Sequence, residues 1–273
     1  MKIALIPNME KNGAEAIIRA AVDRLKRDNI DVYMSIRGFD TLYAEEEKLY
    51  DICDIIITVG GDGTLIHYAK NAAAHSKAVL GINAGRLGFL ADVEKNNLDL
   101  LGLLARGEYT VCPRFMLEAK VYSKDKLIIE DMALNDAVIA SSGIARLLDL
   151  EVEISSDTIG YRSDGVIVST PTGSTAYSMS AGGPIIDPNV RCFAVTPICS
   201  HSLTARPIIV GENSELILRL PKDSSDIAVF SLDGRFCCNV DKDVRIVIKK
   251  APYDAKLISL SGNALYKTLS LKF

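Results

Sequence analysis

Several features that would place this chain in a class at once are missing from it. No run approaches the roughly 20 apolar residues that a membrane-crossing helix needs. The opening Met1-Lys2-Ile3-Ala4-Leu5-Ile6-Pro7 is too short for a secretory signal, so a cytoplasmic location without a membrane partner is expected. There is no surplus of positive charge: 31 Lys and Arg stand against 35 Asp and Glu, a net charge of −4, which removes the general basic field that a nucleic-acid partner requires. Cysteine is sparse and without pattern. None of Cys53, Cys112, Cys192, Cys199, Cys237 and Cys238 stands in a CxxC spacing, and the adjacent Cys237-Cys238 is poor geometry for a disulfide or a zinc site. Six reduced thiols, mostly buried, are expected, and no residue is read as a metal ligand. No GxxxxGK[ST] loop occurs, and the third glycine of a GxGxxG would fall on Ile66, which disfavours an ordinary P-loop kinase and an ordinary Rossmann dehydrogenase. Internal repeats and low-complexity linkers are also absent.

What is present is a soluble-type composition, 48% apolar and 24% charged over 273 residues, enough for two domains of ordinary size. The first hundred residues alternate short apolar runs with longer amphipathic ones, the pattern of a parallel sheet covered on both faces. Strands are expected at 3–6, 32–34, 54–59 and 78–82. Helices are expected at 12–28, 65–74 and 98–105, with an acidic helix or ordered loop at 43–50. Asp54-Ile55-Ile56-Ile57-Thr58-Val59 is the strongest strand, apolar without alternation. From about Arg114 the period becomes two, as in Phe115, Leu117, Ala119 and Val121, and again in Leu148, Leu150, Val152 and Ile154. The second half is therefore read as mainly β, with further strands at 215–220, 227–232 and 244–249. The expected division is an α/β domain over 1–108, joined by 256–273, and a β-rich domain over 109–255.

Gly60-Gly61-Asp62-Gly63-Thr64 falls between the buried strand and the helix that follows, the edge of an open α/β sheet where ligands bind. Glycines let the backbone approach a ligand, and free N–H groups at a helix start favour phosphate. Asp62 is the unusual member, because a carboxylate near phosphates is repelled unless it binds a metal or takes a proton from a hydroxyl. A tight turn with an N-capping aspartate is an equal reading of the five residues alone.

The block from Arg162-Ser163-Asp164-Gly165 to Gly182-Gly183-Pro184 is dense in small hydroxyl residues and glycine, a poor core and a good lining for a sugar, amide or base. Its plainer reading is an elaborate turn capped by Ser174 or Thr175. Asn135-Asp136 interrupts an apolar run, where two polar residues are expensive to bury unless a ligand's hydroxyls meet them; a strand end with Asn135 in a turn is equally open.

These segments, with Asn83-Ala84-Gly85-Arg86-Leu87-Gly88-Phe89-Leu90, His201-Ser202-Leu203-Thr204-Ala205-Arg206-Pro207 and the tail Tyr266 to Phe273, stand in the order and spacing of NAD kinases. The chain resembles a bacterial-type member from end to end. The resemblance implies an N-terminal α/β domain with a parallel sheet, a mainly β C-terminal domain, a last segment returning to the first domain, and an active cleft between them. It also implies transfer of phosphate from ATP, other nucleoside triphosphates or polyphosphate to the 2′-hydroxyl of the adenosine ribose of NAD, with a divalent metal, Mg²⁺ by expectation, and a homodimer or homotetramer. By the same resemblance Asp62 activates the hydroxyl, and Gly63 and Phe89 lie beside the adenine half. Asn135 and Asp136 grip ribose hydroxyls, and Arg146, Arg162 and Asp164 surround the dinucleotide. Thr175, Ala176, Tyr177, Ser178, Met179 and Ser180 wrap its ends, and His67 occupies a basic position. Two departures stand out. The family's Asn-Glu pair is Asn135-Asp136, one methylene shorter, and its Asp-Gly-Gln is Asp233-Gly234-Arg235. A lipid kinase sharing a Gly-Gly-Asp-Gly element and a non-catalytic dinucleotide sensor are the rivals.

Overall fold

Ile3 to Ile6 are consecutive apolar residues, which suits a strand covered on both faces. In the computed structural model, which describes residues 1–85, 88–143, 147–260, 262 and 264–272, they form the centre of β1 (Lys2–Pro7). Helix α1 (Ala14–Arg27) follows, burying Ile17, Ile18, Ala21, Val22 and Leu25 at helical spacing and ending in Arg24, Lys26 and Arg27, whose charges suit a helix C-terminus. Then come β2 (Asp31–Met34) and the short β3 (Leu42–Tyr43). The acidic segment resolves into that strand and α2 (Glu46–Ile52). Every residue of β4 (Ile55–Gly60) is buried, as its unbroken apolar run demands. Helix α3 (Asp62–Ala74) starts three residues earlier than the sequence pattern suggests, because Gly61 in an extended conformation ends the strand and frees Asp62 to be the first helical residue. There follow β5 (Ala78–Asn83), β6 (Val93–Glu94), a 3₁₀ turn at Leu98–Leu101 that continues into α4 (Gly102–Arg106), and β7 (Thr110–Arg114).

The next stretch is antiparallel: β8 (Leu117–Ser123), β9 (Lys126–Ala133), β10 (Asp136–Ser141), β11 (Leu148–Ile154), β12 (Asp157–Ser163) and β13 (Gly165–Ser169). After a single-turn helix, α5 (Tyr177–Ser180), come β14 (Cys192–Ile198), β15 (Ile208–Gly211), β16 (Leu216–Arg219), β17 (Ala228–Leu232), β18 (Arg235–Val240) and β19 (Val244–Lys250). The chain closes with β20 (Ala255–Ser259) and α6 (Ala264–Lys272).

These elements form two units, Met1–Pro113 with Ala255–Phe273, and Arg114–Asp254. The first is built on one sheet of order β3-β2-β1-β4-β5-β20-β7, with β6 beside β5. Parallel pairings join β1 to both β2 and β4, and β5 to both β4 and β20. The chain leaves β1 towards β2 on one side and returns at β4 on the other, so the strand order reverses between β1 and β4, and their carboxyl ends mark the place for a ligand. The second unit has two six-stranded sheets, β15-β14-β13-β10-β17-β18 and β12-β11-β16-β19-β8-β9. Their apolar faces share one core, with Phe115 edge-on to Phe193 at 5.0 Å between ring centres. In β11 the alternation is complete enough that Glu151 and Glu153 stand clear of the core and pair with Arg219 of the neighbouring β16 at 2.8 and 3.1 Å.

All six cysteines are free, but only Cys53 and Cys192 are buried; Cys112, Cys237 and Cys238 are half-buried and Cys199 is exposed, which corrects the expectation of mostly buried thiols. Burial depends on which strand face a residue occupies, and the cysteine spacing says nothing of that. Among the described residues no helix is long and apolar enough to cross a membrane.

Candidate active site

The turn from β4 to α3 fixes Asp62. Gly61 is the N-cap, no side chain caps this helix, and Asp62 occupies its first turn, so the capping-aspartate reading fails. The carboxylate instead reaches a loop far along the chain. Oδ2 accepts the N–H of Phe89 at 2.7 Å, while Oδ1 accepts those of Leu90 at 3.2 Å and Ala91 at 3.3 Å. Three successive amides thus hold one carboxylate, a concave anion seat of the kind backbone amides make. Oδ2 is engaged once among these bonds and keeps room for a second donor.

Glycine is required nearby for want of space. A Cβ on Gly88 would lie 2.1 Å from Oδ1 of Asp62, and one on Gly60 would lie 2.4 Å from Oγ1 of Thr64. A Cβ on Gly61 or Gly63 would meet nothing within 4 Å, so the space beside this backbone is open to an approaching group. Asn83 steadies the neighbouring loop, accepting the N–H of Gly85 at 3.0 Å while its amide donates to Glu94 at 3.0 Å. Beside the turn, at the reversal between β1 and β4, lies a hollow of about 490 Å³. Asn8 and Glu10 line one side of it, and Gly63, Thr64, His67 and Tyr68 the other. His67 is exposed and lies edge-on to Tyr68 at 4.9 Å. The contribution of the loop after β1 had no signal in the sequence beyond its position after the first strand.

In the second unit, Asn135 and Asp136 stand at the turn from β9 to β10, 8% and 5% exposed. Asp233 grips them: its Oδ2 accepts the N–H of Leu134 at 2.9 Å, and its Oδ1 those of Asn135 at 2.7 Å and Asp136 at 3.2 Å. From the other side the hydroxyl of Thr170 donates to the Leu134 carbonyl at 2.5 Å, and the Thr170 N–H to that of Asn135 at 2.8 Å. The buried Oδ1 of Asn135 has no partner. Burial, and then the charge of Asp233, push the Asp136 carboxyl up to about 7. The sequence marks Asp233 only as part of a turn-type Asp-Gly that matches the family's Asp-Gly-Gln; its grip on Asn135, 98 positions away, is not legible there. Arg235, the departure from the family's glutamine, is paired with Asp131.

The remaining candidates are dispersed within this unit. Thr175 and Ala176 are half-buried, and the Thr175 hydroxyl donates to Thr172. Tyr177 and Ser180 are exposed and Met179 half-buried. Ser178 is fully buried with its hydroxyl against that of Thr196 at 3.1 Å. Neither Ser174 nor Thr175 caps a helix; the Ser174 hydroxyl bonds the Pro171 carbonyl and receives the Ile186 N–H. Asp164 is anchored by its backbone to Ser141 and Ile198. Arg162 is exposed and lines a separate hollow of about 330 Å³ with Ser202, Thr204 and Arg206. Arg146 lies outside the described residues.

An α/β unit with a glycine turn and helix start at its point of strand reversal, followed by a β-rich unit with a buried polar pair that keeps one amide oxygen unpartnered, is the architecture of a nucleotide-handling phosphotransferase. Residues 4–109 match the model of the ATP-NAD kinase N-terminal domain and residues 134–260 that of the ATP-NAD kinase C-terminal domain. The NAD kinase of Treponema denticola is 36% identical over 99% of this chain and 95% of its own, and that of Symbiobacterium thermophilum 39% identical over 98% and 91%. Among solved structures, yeast NADH kinase complexed with NADH shares the fold, with a TM-score of 0.89 at 23% identity over 100% of this chain and 88% of its own. An NAD kinase from Archaeoglobus fulgidus in complex with ATP has a TM-score of 0.75 at 26% identity, covering 100% and 98%. The chain belongs to the NAD kinase family and is a phosphotransferase that acts on NAD. The lipid-kinase and sensor readings fall with that result.

Proposed function

We propose that this enzyme moves the terminal phosphoryl group of ATP to the 2′-hydroxyl of the adenosine ribose of NAD, giving NADP and ADP, with Asp62 as the base. The observation that carries this reading is the Asp62 carboxylate, seated on three backbone amides at a glycine turn and keeping acceptor room on Oδ2. The ribose oxygen forms its bond to the γ-phosphorus as the bond from that phosphorus to the β,γ-bridging oxygen breaks. The hydroxyl proton passes to Asp62, and ADP leaves. Positioning and charge neutralisation supply most of the acceleration in such a transfer.

Gly63 and Phe89 lie beside the adenine half in this reading, and Asn135, through its unpartnered Oδ1, and Asp136 meet ribose hydroxyls. Arg146, Arg162 and Asp164, with Thr175, Ala176, Tyr177, Met179 and Ser180, surround the rest of the dinucleotide. Ser178, whose hydroxyl is engaged with Thr196, contributes shape and backbone. His67 lines the hollow beside Gly63 and faces the donor phosphates.

Among the described residues no group of three or more His, Cys, Asp or Glu could hold a metal ion. A divalent cation such as Mg²⁺ would have to arrive with the triphosphate, and Glu10, the acidic residue lining the hollow, is the side chain that would help hold it. It would neutralise charge on the transferring group. We further propose a cytoplasmic homodimer or homotetramer.

The test is a coupled assay for NADP formed from NAD, run in parallel with ATP, another nucleoside triphosphate and polyphosphate, with and without EDTA. Magnesium-dependent NADP formation with ATP supports the reading. Absence of NADP with every donor refutes it.

A further inference from the structure

We infer that Asp233 is a positioning residue for substrate recognition: without touching NAD, it fixes where the side chains of Asn135 and Asp136 stand. The inference rests on the reading above that this pair meets the ribose.

Asp233 occupies the two-residue turn between β17 and β18, where both it (φ 48°) and Gly234 (φ 74°) have left-handed backbones. Asp-Gly is the dipeptide that suits a hairpin turn of this hand. Because β17 pairs with β10, with Leu232 opposite Ala137, the turn carries the Asp233 carboxylate to the start of β10. There it collects the three N–H groups of Leu134, Asn135 and Asp136, and its own N–H donates to the Asp136 carbonyl at 3.0 Å. Thr170 takes the Leu134 and Asn135 carbonyls. Every backbone polar group from Leu134 to Asp136 is thereby bonded, four of the six by Asp233.

Against that complete accounting, one buried atom stands out. The Oδ1 of Asn135 has no partner, on a residue more than nine-tenths buried. An unsatisfied buried amide oxygen is unfavourable and calls for an explanation; in the reading above, a ribose hydroxyl that donates to it supplies one. Backbone groups that are all engaged hold this oxygen in place before any ligand arrives, which is how a site avoids an ordering cost on binding. Gly173 lies against the other side; a Cβ there would sit 2.0 Å from the Asn135 carbonyl oxygen, so only glycine lets the two backbones pack this closely.

Asp233→Asn tests this with little change of volume. Its amide presents two N–H donors, at least one of them toward backbone donors, so part of the grip is lost. The expected result is a KM for NAD raised by at least about tenfold, roughly 1.4 kcal/mol, with the KM for ATP and kcat at saturation held within about threefold. A role confined to stability would lower kcat and weaken both substrates together, in step with Tm, and would overturn the inference. An unchanged KM for NAD in folded Asp233→Asn overturns it too. Should that variant not fold, Thr170→Val decides, since it loosens the same turn from the opposite side while leaving Asp233 intact. A raised KM for NAD alone supports the inference, and an unchanged one contradicts it. Wild-type protein that makes no NADP would defeat the proposed function itself, whereas an active wild type beside an unaltered variant defeats only the role of Asp233.

Discussion

Asp62 and Phe89, 27 residues apart, are joined by an N–H···Oδ2 bond of 2.7 Å. That bond and its two neighbours make the orientation of the carboxylate a property of the 88–91 loop as much as of α3, whose first turn carries the aspartate. The proposed role of Asp62 as base would gain from such fixing, because the reacting oxygen has to be met within hydrogen-bond reach.

Gly88→Ala follows directly. The added Cβ would stand 2.1 Å from Oδ1 and 2.5 Å from Cγ of Asp62, so either the loop or the carboxylate must move. A displacement near 1 Å at a catalytic group lowers turnover by about 10²-fold. Steady-state kinetics on the folded variant should show that fall in kcat; a rate equal to wild type would mean the carboxylate's position is unimportant.

Asp136 gives a pH signature. In the unfolded chain it titrates as an ordinary carboxylate, near 3.8, while burial and then Asp233 raise it to about 7 in the folded protein. The folded state therefore holds a proton that the unfolded state has released. Stability from this group is fully present below about pH 4, falls between about 4 and 7, and stays low above that. The loss across the window is on the order of a few kcal/mol, at about 1.4 kcal/mol per pKa unit. Urea titrations at pH 5 and pH 8 should show a smaller decline for Asp136→Asn than for wild type, and equal declines would contradict the assignment.

Thiol labelling should separate the cysteines by exposure. Cys199 is exposed, whereas Cys53 and Cys192 are buried, and burial pushes the Cys53 thiol up to about 11. The thiolate is the reactive form. Brief iodoacetamide treatment followed by peptide mass spectrometry should find Cys199 modified first and Cys53 and Cys192 last; early labelling of Cys53 would show that the first unit's core opens readily.

Much of this molecule could be read from local pattern. The six buried residues of β4 appear as an apolar run without alternation, and Leu148–Ile154 appears as an alternation in which Leu148, Leu150 and Val152 are indeed buried. The alternation is kept through Val152 and lost at Ile154, which is half-buried like Glu153; pattern of this kind reports what one element needs from its surroundings. It failed where two elements share a task. The start of α3 at Asp62 depends on the extended Gly61, and a turn-forming glycine run hides that. The seat of Asp62 is made by residues 89–91 and that of Asn135 by Asp233, and no local periodicity records either long-range pairing. The glycines at 88 and 173 likewise look like ordinary loop residues until the atoms they make way for are in place.

The central claim is that Asp62 takes the ribose hydroxyl's proton, and Asp62→Asn examines it most directly. NADP formation would be measured at saturating NAD and ATP, beside calorimetric binding of NAD to the same preparation. The account predicts a kcat lower by about 10²–10⁴-fold with NAD affinity within about threefold of wild type. A variant that binds NAD normally and still turns over at close to the wild-type rate would contradict it.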